Sequence, residues 1–255
     1  MTGIETVMRS TRTRVLAATM IAFALVAGGC KKGTTEAAAP TTPTTPVSSA
    51  PAGNGLEALT ADQIHAKAKA ALTAAKSFHV NGSGEESGQK LIADVKASGQ
   101  DLFGSVTIGQ AKVELLAVGG QRFMRPNEAF WVTSGAKEAK TIAAVVGTRW
   151  VKLSAKDKDM AELFDIANVD GALDPDGKLT KGTGKDIGGT PTVGLVDDGD
   201  PGGTLYIAAT GEPYPLKLEG KDGSTTTFGE FGATFAEIKA PAAADVLDLD
   251  SLQGK

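Results

Sequence analysis

Apolar and polar residues alternate with a period of two through most of the chain after residue 78. Such alternation is typical of antiparallel strands that have one face covered. The apolar positions of the first runs are Leu91, Ala93, Val95, Ala97, Leu102, Val106, Ile108, Val113, Leu115 and Ala117. Further strand patterns follow at residues 121–124, 150–153, 192–196, 204–209, 214–219 and 225–231. Because glycine-rich turns separate these runs, the pattern predicts a sheet of many short strands.

A helical period replaces the alternation in three places. Thr60 and Gln63 form a capping box, and the apolar residues after them predict a helix that ends near Ser77. A short helix is predicted around residues 139–146, and a third helix after a capping-box pattern at residues 154–157. The apolar positions of the last two are Ala139, Ile142, Val145 and Val146, then Met160, Leu163, Phe164 and Ala167.

Many strands with few helices predict an α+β fold, a curved antiparallel half-barrel sheet with the helices on one side. Residues 56–255 are roughly 200 in number, which fits one domain. The clearest strand face near the end of the chain consists of Tyr214, Leu216 and Leu218. Pro213 and Pro215 lack backbone donors, so this strand is expected at an edge or a bulge.

The first 29 residues have the layout of a secretory signal peptide. Arg9, Arg12 and Arg14 precede an apolar run over residues 15–27, and two glycines then lead to Cys30. The run is shorter than the about 20 residues needed to span a bilayer, so a cleaved signal explains it better than a permanent membrane helix. Either Met1 or Met8 fits as the start.

Residues 26–30 resemble the lipobox of bacterial lipoproteins, in which the cysteine receives a diacylglycerol and begins the mature protein. Ala27 stands where that family more often has leucine, and the alternative is that Cys30 simply ends an ordinary signal. Cys30 is the only cysteine, so an intrachain disulfide is excluded. Residues 31–55 are rich in Thr, Pro and Ala and predict a disordered tether. The resemblance implies a lipid-anchored protein on the outer face of the plasma membrane.

Charge argues against nucleic-acid binding. The chain has 26 basic and 30 acidic residues, and removal of the first 29 residues takes away three arginines and one glutamate, which leaves a net charge of −6. Nucleic-acid affinity depends largely on neutralising phosphates, and no lysine or arginine cluster is present to do so. Attachment to a membrane is therefore expected to come from acyl chains on Cys30.

The sequence offers little support for catalysis or for a cofactor. His65 and His79 are the only histidines, and they are not at the sequence spacing typical of metal ligands. Both are expected to be ordinary polar residues. No nucleophile elbow, zinc-binding helix motif or phosphate-binding glycine loop is present. Two acidic groups do not meet the EF-hand calcium pattern and are interpreted as turns: Asp170, Asp174 and Asp176, and Asp197, Asp198 and Asp200.

The order of elements resembles the actinobacterial LppX/LprG-type lipoproteins and, more distantly, the LolA/LolB lipoprotein carriers. The segments that carry the resemblance are residues 77–80, 130–131, 150–152, 189–192, 205–208 and 213–218. In that family an incomplete barrel encloses an apolar cavity for lipid acyl chains. The resemblance thus implies a cavity here, and we expect it to be lined by Val106, Ile108, Trp150, Leu205, Ile207, Tyr214, Leu216 and Leu218. The alternative for the large rings is plain core packing.

Two functions remain open from the sequence. The first is a non-catalytic lipoprotein that binds or transports a lipid or glycolipid in the cell envelope. The second is an envelope module that binds a protein or glycan partner or senses envelope state. The first requires an incompletely filled sheet face, and the second requires a packed interior with an exposed apolar patch outside.

Overall fold

The computed structural model describes residues 52–154, residue 164 and residues 173–248. The helices within this part are α1 (Ala61–Ala75), α2 (Glu128–Thr133) and α3 (Ala139–Val146), with 3-10 turns at Leu56–Ala58 and Ala243–Asp245. The strands are β1 (Ser77–Glu86), β2 (Gln89–Ser98), β3 (Asp101–Ile108), β4 (Ala111–Val118), β5 (Gln121–Pro126), β6 (Trp150–Lys152), β7 (Leu179–Gly182), β8 (Asp186–Ile187), β9 (Thr190–Asp197), β10 (Gly203–Ala208), β11 (Pro215–Gly220), β12 (Thr225–Gly229) and β13 (Val246–Asp248).

The strands form one open sheet in the order β13-β6-β5-β4-β3-β2-β1-β12-β11-β10-β9-β7, and β8 pairs with β9. Each pairing between these strands is antiparallel except that of β13 with β6, which is parallel. The predicted α+β class, a curved open sheet with a few helices, is confirmed. The first five strands follow one another as hairpins because each turn contains glycine with a positive φ, as at Gly99 and Gly109.

Helix α1 forms as its sequence predicts. The Thr60 hydroxyl accepts the backbone N–H of Gln63 at 3.3 Å, and the Gln63 side chain accepts the backbone N–H of Thr60 at 3.0 Å. Ile64 and Leu72 are fully buried on one side of the helix. The helix ends at Lys76, which adopts a left-handed conformation before β1 begins.

All three helices contribute to core packing on one side of the sheet, which we call the helix-covered face. The first core cluster joins α1 to the half of the sheet that contains β9, β10 and β12, with Leu195, Ile207 and Phe228 among its members. The second joins Val146 of α3 to Val95, Leu115 and other residues of β2–β6. The opposite side, which we call the outer face, is mainly polar outside a third cluster of Leu116, Phe123 and Trp150. The expected placement of the helices is therefore confirmed.

Several elements differ from the sequence-based expectation. Strands β7, β8 and β13 and helix α2 were not predicted, because each is short or lacks a clear apolar period. The third predicted helix lies outside the described residues, apart from Phe164, which is buried in the second cluster. The folded part also begins before residue 56, since Gly53 bridges Thr210 and the Asn54 amide donates to the carbonyl oxygen of Ala208 at 2.9 Å.

Candidate lipid-binding site

A strip of half-buried apolar side chains lies on the helix-covered face, toward the β1–β2 and β3–β4 turns. It consists of Leu91 on β2 and Val106 and Ile108 on β3. In the register of the two strands Leu91 is opposite Ile108, and Ala93 is opposite Val106. Because the side chains of paired residues point to the same face, these residues form one continuous apolar surface. We call Leu91, Val106 and Ile108 the apolar strip.

Glycines on the neighbouring strand leave space beside the strip. Gly82 and Gly84 of β1 are paired with Ala93 and Leu91 and lie on the same face. A Cβ atom at Gly82 would lie 3.5 Å from the Cβ of Ala93, an ordinary contact distance, so packing within the sheet does not require a glycine there. At Gly84 a Cβ atom would lie 3.1 Å from the Cβ of Ser224, so the position without a close neighbouring side chain is Gly82.

The predicted lining residues of the last third belong largely to the packed core. Ile207 is fully buried, and Leu205 is 7% exposed, both in the first cluster beneath α1. Leu218 is half-buried against the same cluster. The structure therefore uses these residues for core packing with α1, while Val106 and Ile108 remain partly accessible.

The structure separates Trp150 from the other predicted lining residues. Trp150 lies on the outer face, where it packs with Leu116 and Phe123. Its neighbour Val151 points instead to the second cluster on the helix-covered face. The expectation that Trp150 shares a surface with Val106 is therefore wrong, because the alternation of side chains in β6 turns the indole to the other side.

Tyr214 and Leu216 also deviate from the predicted strand face. Tyr214 precedes β11, and its ring stacks on Phe231 with centroids 4.0 Å apart. A register shift between Tyr206 and Ile207 places fully buried Pro215 opposite Ile207. The predicted alternation of Tyr214, Leu216 and Leu218 is thus interrupted by a bulge, which the prolines of this segment had indicated as one of two alternatives.

Trp131 of α2 borders the same cluster as the strip and was not singled out as a polar group from the sequence. Its ring packs edge-to-face on Phe130, with centroids 5.6 Å apart, and against the second cluster, which Val106 also contacts. The Nε1 atom is buried and has no hydrogen-bond partner within the part of the chain that the structure describes. A buried donor without an acceptor costs about 1–3 kcal/mol and is uncommon in native proteins.

Asp197 and Asp198 accept backbone N–H groups of neighbouring turns. The Asp197 carboxylate accepts the backbone N–H groups of Asp176, Gly177 and Gly199 at 2.8, 2.9 and 3.0 Å. Burial alone would raise the pKa of Asp197, but these donors outweigh burial, and the pKa is lowered from its ordinary value. Asp198 accepts the backbone N–H of Lys178 at 2.7 Å. Residue 170 lies outside the described residues, and within them no group of acidic, histidine or cysteine side chains could hold a metal ion.

Both histidines make structural contacts. His65 Nε2 lies 2.6 Å from the carbonyl oxygen of Leu173. His79 lies on the outer face between two carboxylates, with Nε2 2.8 Å from Asp94 and Nδ1 2.9 Å from Glu230. The contacts of His79 hold β1 to β2 and to the segment after β12.

A groove of about 350 Å³ opens beside α2 and α3. Its lining residues are Lys112, Glu114, Arg125, Pro126, Asn127, Gly147 and Thr148. Within it Arg125 Nε donates to Glu114 at 2.6 Å, and the guanidinium lies 4.5 Å from the Trp150 ring centroid. Because Lys112, Glu114 and Arg125 bring charge into it, this groove is less suited to acyl chains than the apolar strip.

Cys30 and the predicted signal peptide lie outside the described residues. Acylation of Cys30 therefore remains a prediction of the sequence. Of the helices in the described part of the chain, none has the length and apolar character required to cross a bilayer.

Comparison with known proteins gives matches among solved structures. No protein-family model and no curated protein matches the chain. LprF from Mycobacterium bovis is 17% identical with a TM-score of 0.46, and the match covers 72% of this chain and 97% of LprF. An uncharacterized conserved protein from Thermus thermophilus is 14% identical with a TM-score of 0.38, covering 74% of this chain and 98% of that one. LprF is an LppX/LprG-type lipoprotein, the type that the sequence of this chain resembles.

Proposed function

We propose that this protein is a non-catalytic lipoprotein that binds or carries a lipid or glycolipid, held on the outer face of the plasma membrane by acylated Cys30. The observation that supports lipid binding is the apolar strip, in which Leu91, Val106 and Ile108 remain half-exposed on the face that otherwise packs against helices. An acyl chain that lies along the strip would remove from water both its own apolar surface and that of the strip. At about 25 cal/mol per Å² of buried apolar area, this burial supplies the affinity.

The glycines beside the strip support the same proposal. An acyl chain is about as wide as an unbranched side chain, and Gly82, where a Cβ atom would meet its neighbours only at 3.5 Å or more, leaves the face beside Ala93 free of a side chain. The residues of the strip and the paired Gly82, Gly84 and Ala93 carry no charge. The site would therefore favour the hydrocarbon part of a lipid over its charged headgroup.

The residues with catalytic potential support a non-catalytic role. His79 bridges two strand segments through Asp94 and Glu230. Asp197 and Asp198 fix turns through backbone N–H groups. Each of these groups thus has a structural function that accounts for its position.

Native mass spectrometry tests the proposal directly. Residues 30–255, which contain the whole folded unit, are purified with Cys30→Ala from a bacterial host. We expect an adduct of lipid mass that organic extraction removes and that added diacyl lipid restores. A protein that carries no lipid, and takes up none after extraction, would contradict the proposal.

The alternative, an envelope module for a protein or glycan partner, has one specific observation in its favour. Val132 on α2 and Val145 on α3 are 58% and 55% exposed, although both side chains are large and apolar. The pair of substitutions Val132→Lys and Val145→Lys separates the two functions. Loss of partner cross-linking in whole cells with unchanged lipid uptake would favour the envelope module.

A further inference from the structure

Asn127 joins the start of helix α2 to the sheet by hydrogen bonds. Its side-chain oxygen accepts the backbone N–H of Phe130 at 2.9 Å and that of Lys112 at 3.1 Å. Its amide nitrogen donates to the carbonyl oxygen of Gln110 at 2.8 Å. These bonds join the start of α2 to the turn between β3 and β4, directly after Ile108. The position of α2 relative to the apolar strip is therefore well determined.

The end of α2 is closed by hydrogen bonds with the residues that follow it. The carbonyl oxygen of Trp131 accepts the Ser134 hydroxyl at 3.0 Å and the backbone N–H of Ala136 at 3.2 Å. Edge-to-face packing on Phe130 limits rotation of the indole. The Trp131 ring is thus held at the border of the second core cluster rather than free to turn toward water.

The indole nitrogen is the one polar atom at this border whose bonding is incomplete within the described part of the chain. Nε1 of Trp131 is buried and has no acceptor among the described residues. An indole N–H can only donate, so it requires an oxygen or nitrogen acceptor, and a bound ligand can supply one. Val106 of the apolar strip contacts the same cluster. A molecule whose apolar part lies on the strip would therefore be next to the cluster that Trp131 borders.

We propose that Trp131 Nε1 donates a hydrogen bond to a carbonyl oxygen of the bound lipid, so that the site selects acyl lipids with an ester or amide carbonyl over ether lipids. This inference rests on the proposed lipid-binding function and specifies the chemical class of its ligand. A neutral carbonyl fits better than a carboxylate, because the strip and its neighbours carry no cation to balance a negative charge. An ether oxygen occupies a similar place along the chain but is a much weaker acceptor.

Two phosphatidylcholines that differ only in the linkage test the inference. Dioctanoyl phosphatidylcholine carries ester carbonyls, and its dioctyl ether analogue does not. Binding of each is measured by isothermal titration to residues 30–255 with Cys30→Ala. We expect the ester to bind about fivefold more tightly, which is the difference that one net hydrogen bond provides.

Two tryptophan variants identify the donor. Trp131→Phe keeps an aromatic ring and removes the N–H, so it should bind ester and ether equally, at the affinity of the unaltered protein for the ether. Trp150→Phe removes the other tryptophan, which lies on the outer face, and should keep the fivefold preference. A preference that survives Trp131→Phe, or that is absent in the unaltered protein, would overturn the inference.

The indole signals provide a readout that is independent of affinity. The chain has two tryptophans, so a ¹⁵N-labelled sample gives two indole N–H signals, which Trp150→Phe assigns. The Trp131 proton should move downfield when the ester binds and stay in place when the ether binds. Equal binding of both lipids without this shift refutes the carbonyl contact and leaves the lipid-binding proposal standing. Absence of any binding refutes both.

Discussion

Leu91 of β2 lies directly opposite Ile108 of β3, on the same face of the sheet and near the turns that join these strands to their neighbours. Both side chains are half-buried, whereas the residues at the other end of the same strands, such as Ala97 and Leu102, are buried in the core clusters. The helix-covered face thus changes along its strands from closed packing to an accessible apolar surface. The proposed site lies at the accessible end.

A charge on this surface should prevent lipid binding. We expect Ile108→Asp to lower the affinity for dioctanoyl phosphatidylcholine at least tenfold, because a carboxylate would lose its hydration against an acyl chain. Thr107→Asp is the matched control, since Thr107 is the preceding residue of β3 and points to the outer face. Titration of both variants measures the effect. Equal affinities of Ile108→Asp and Thr107→Asp would argue against the apolar strip as the binding surface.

A larger side chain at Gly82 should block the site without harming the sheet. Gly82 has an ordinary strand backbone, and a Cβ atom there meets only Ala93 and Thr226, at 3.5 and 3.7 Å, and the carbonyl oxygen of Thr225 at 4.0 Å. We therefore expect Gly82→Leu to fold normally and to reduce lipid uptake by filling the space beside the strip. Circular dichroism verifies the fold, and native mass spectrometry measures uptake. Undiminished uptake by the folded variant would place the acyl chain elsewhere.

Gly104 should be the opposite case, a glycine required by the sheet itself. A Cβ atom there would lie 2.4 Å from the carbonyl oxygen of Asp94 and 2.8 Å from the Cα of Val95, both backbone atoms that cannot move alone. We expect Gly104→Ala to lower the free energy of unfolding by about 1–3 kcal/mol through overpacking. Gly82→Ala serves as the control and should change it by less than about 1 kcal/mol. Urea unfolding of the two variants gives the comparison.

The comparison of sequence with structure is most instructive at β11. Period-two alternation predicted a face of Tyr214, Leu216 and Leu218, yet Pro215 is the residue buried opposite Ile207. The prolines indicated an irregularity but not which residue would be displaced, because that depends on the register with β10. Strand β6 has only three residues, so its pattern likewise left open which face would receive Trp150. In contrast, the capping box and the apolar spacing of α1 were sufficient to predict that helix.

The sequence predicted only part of the apolar strip. Val106 and Ile108 were predicted, because alternation identifies the covered face of a strand. Whether a covered residue is packed or half-exposed depends on where the helices lie above the sheet, and α2 showed no long apolar period. The glycines at positions 82 and 84 were a signal that could have been used, since two glycines on one face of a strand leave that face without side chains.

The outer face supplies a prediction about pH. Hydrogen bonds from Lys185 and Lys217 lower the pKa of Glu219 to about 2, from an ordinary value of 4.5. A lowered pKa in the folded state stabilises the protein above the unfolded-state value, and this contribution is lost as the pH falls from about 4.5 toward 2. Glu219→Gln should therefore flatten the pH dependence of the unfolding free energy in that range. The groups are partly exposed, so the change should stay below about 1 kcal/mol.

Urea unfolding at several pH values between about 2 and 6 checks this prediction. Glu212→Gln is a suitable control, because Glu212 is exposed and lies in a turn before β11. The control should reproduce the pH dependence of the unaltered protein. If the unfolding free energy of Glu219→Gln depends on pH as that of the unaltered protein does, the contacts with the two lysines contribute nothing to stability.

The membrane anchor can be tested apart from the lipid site. In the full precursor, Cys30→Ala removes the thiol that we expect to be acylated, so the protein should lose incorporation of labelled palmitate and move from the membrane to the soluble fraction. Ser48→Ala, a change within the predicted tether, should alter neither. Because the residues of the apolar strip are untouched, the released protein should still take up dioctanoyl phosphatidylcholine. Membrane retention of Cys30→Ala, with palmitate still incorporated, would show that another residue carries the anchor.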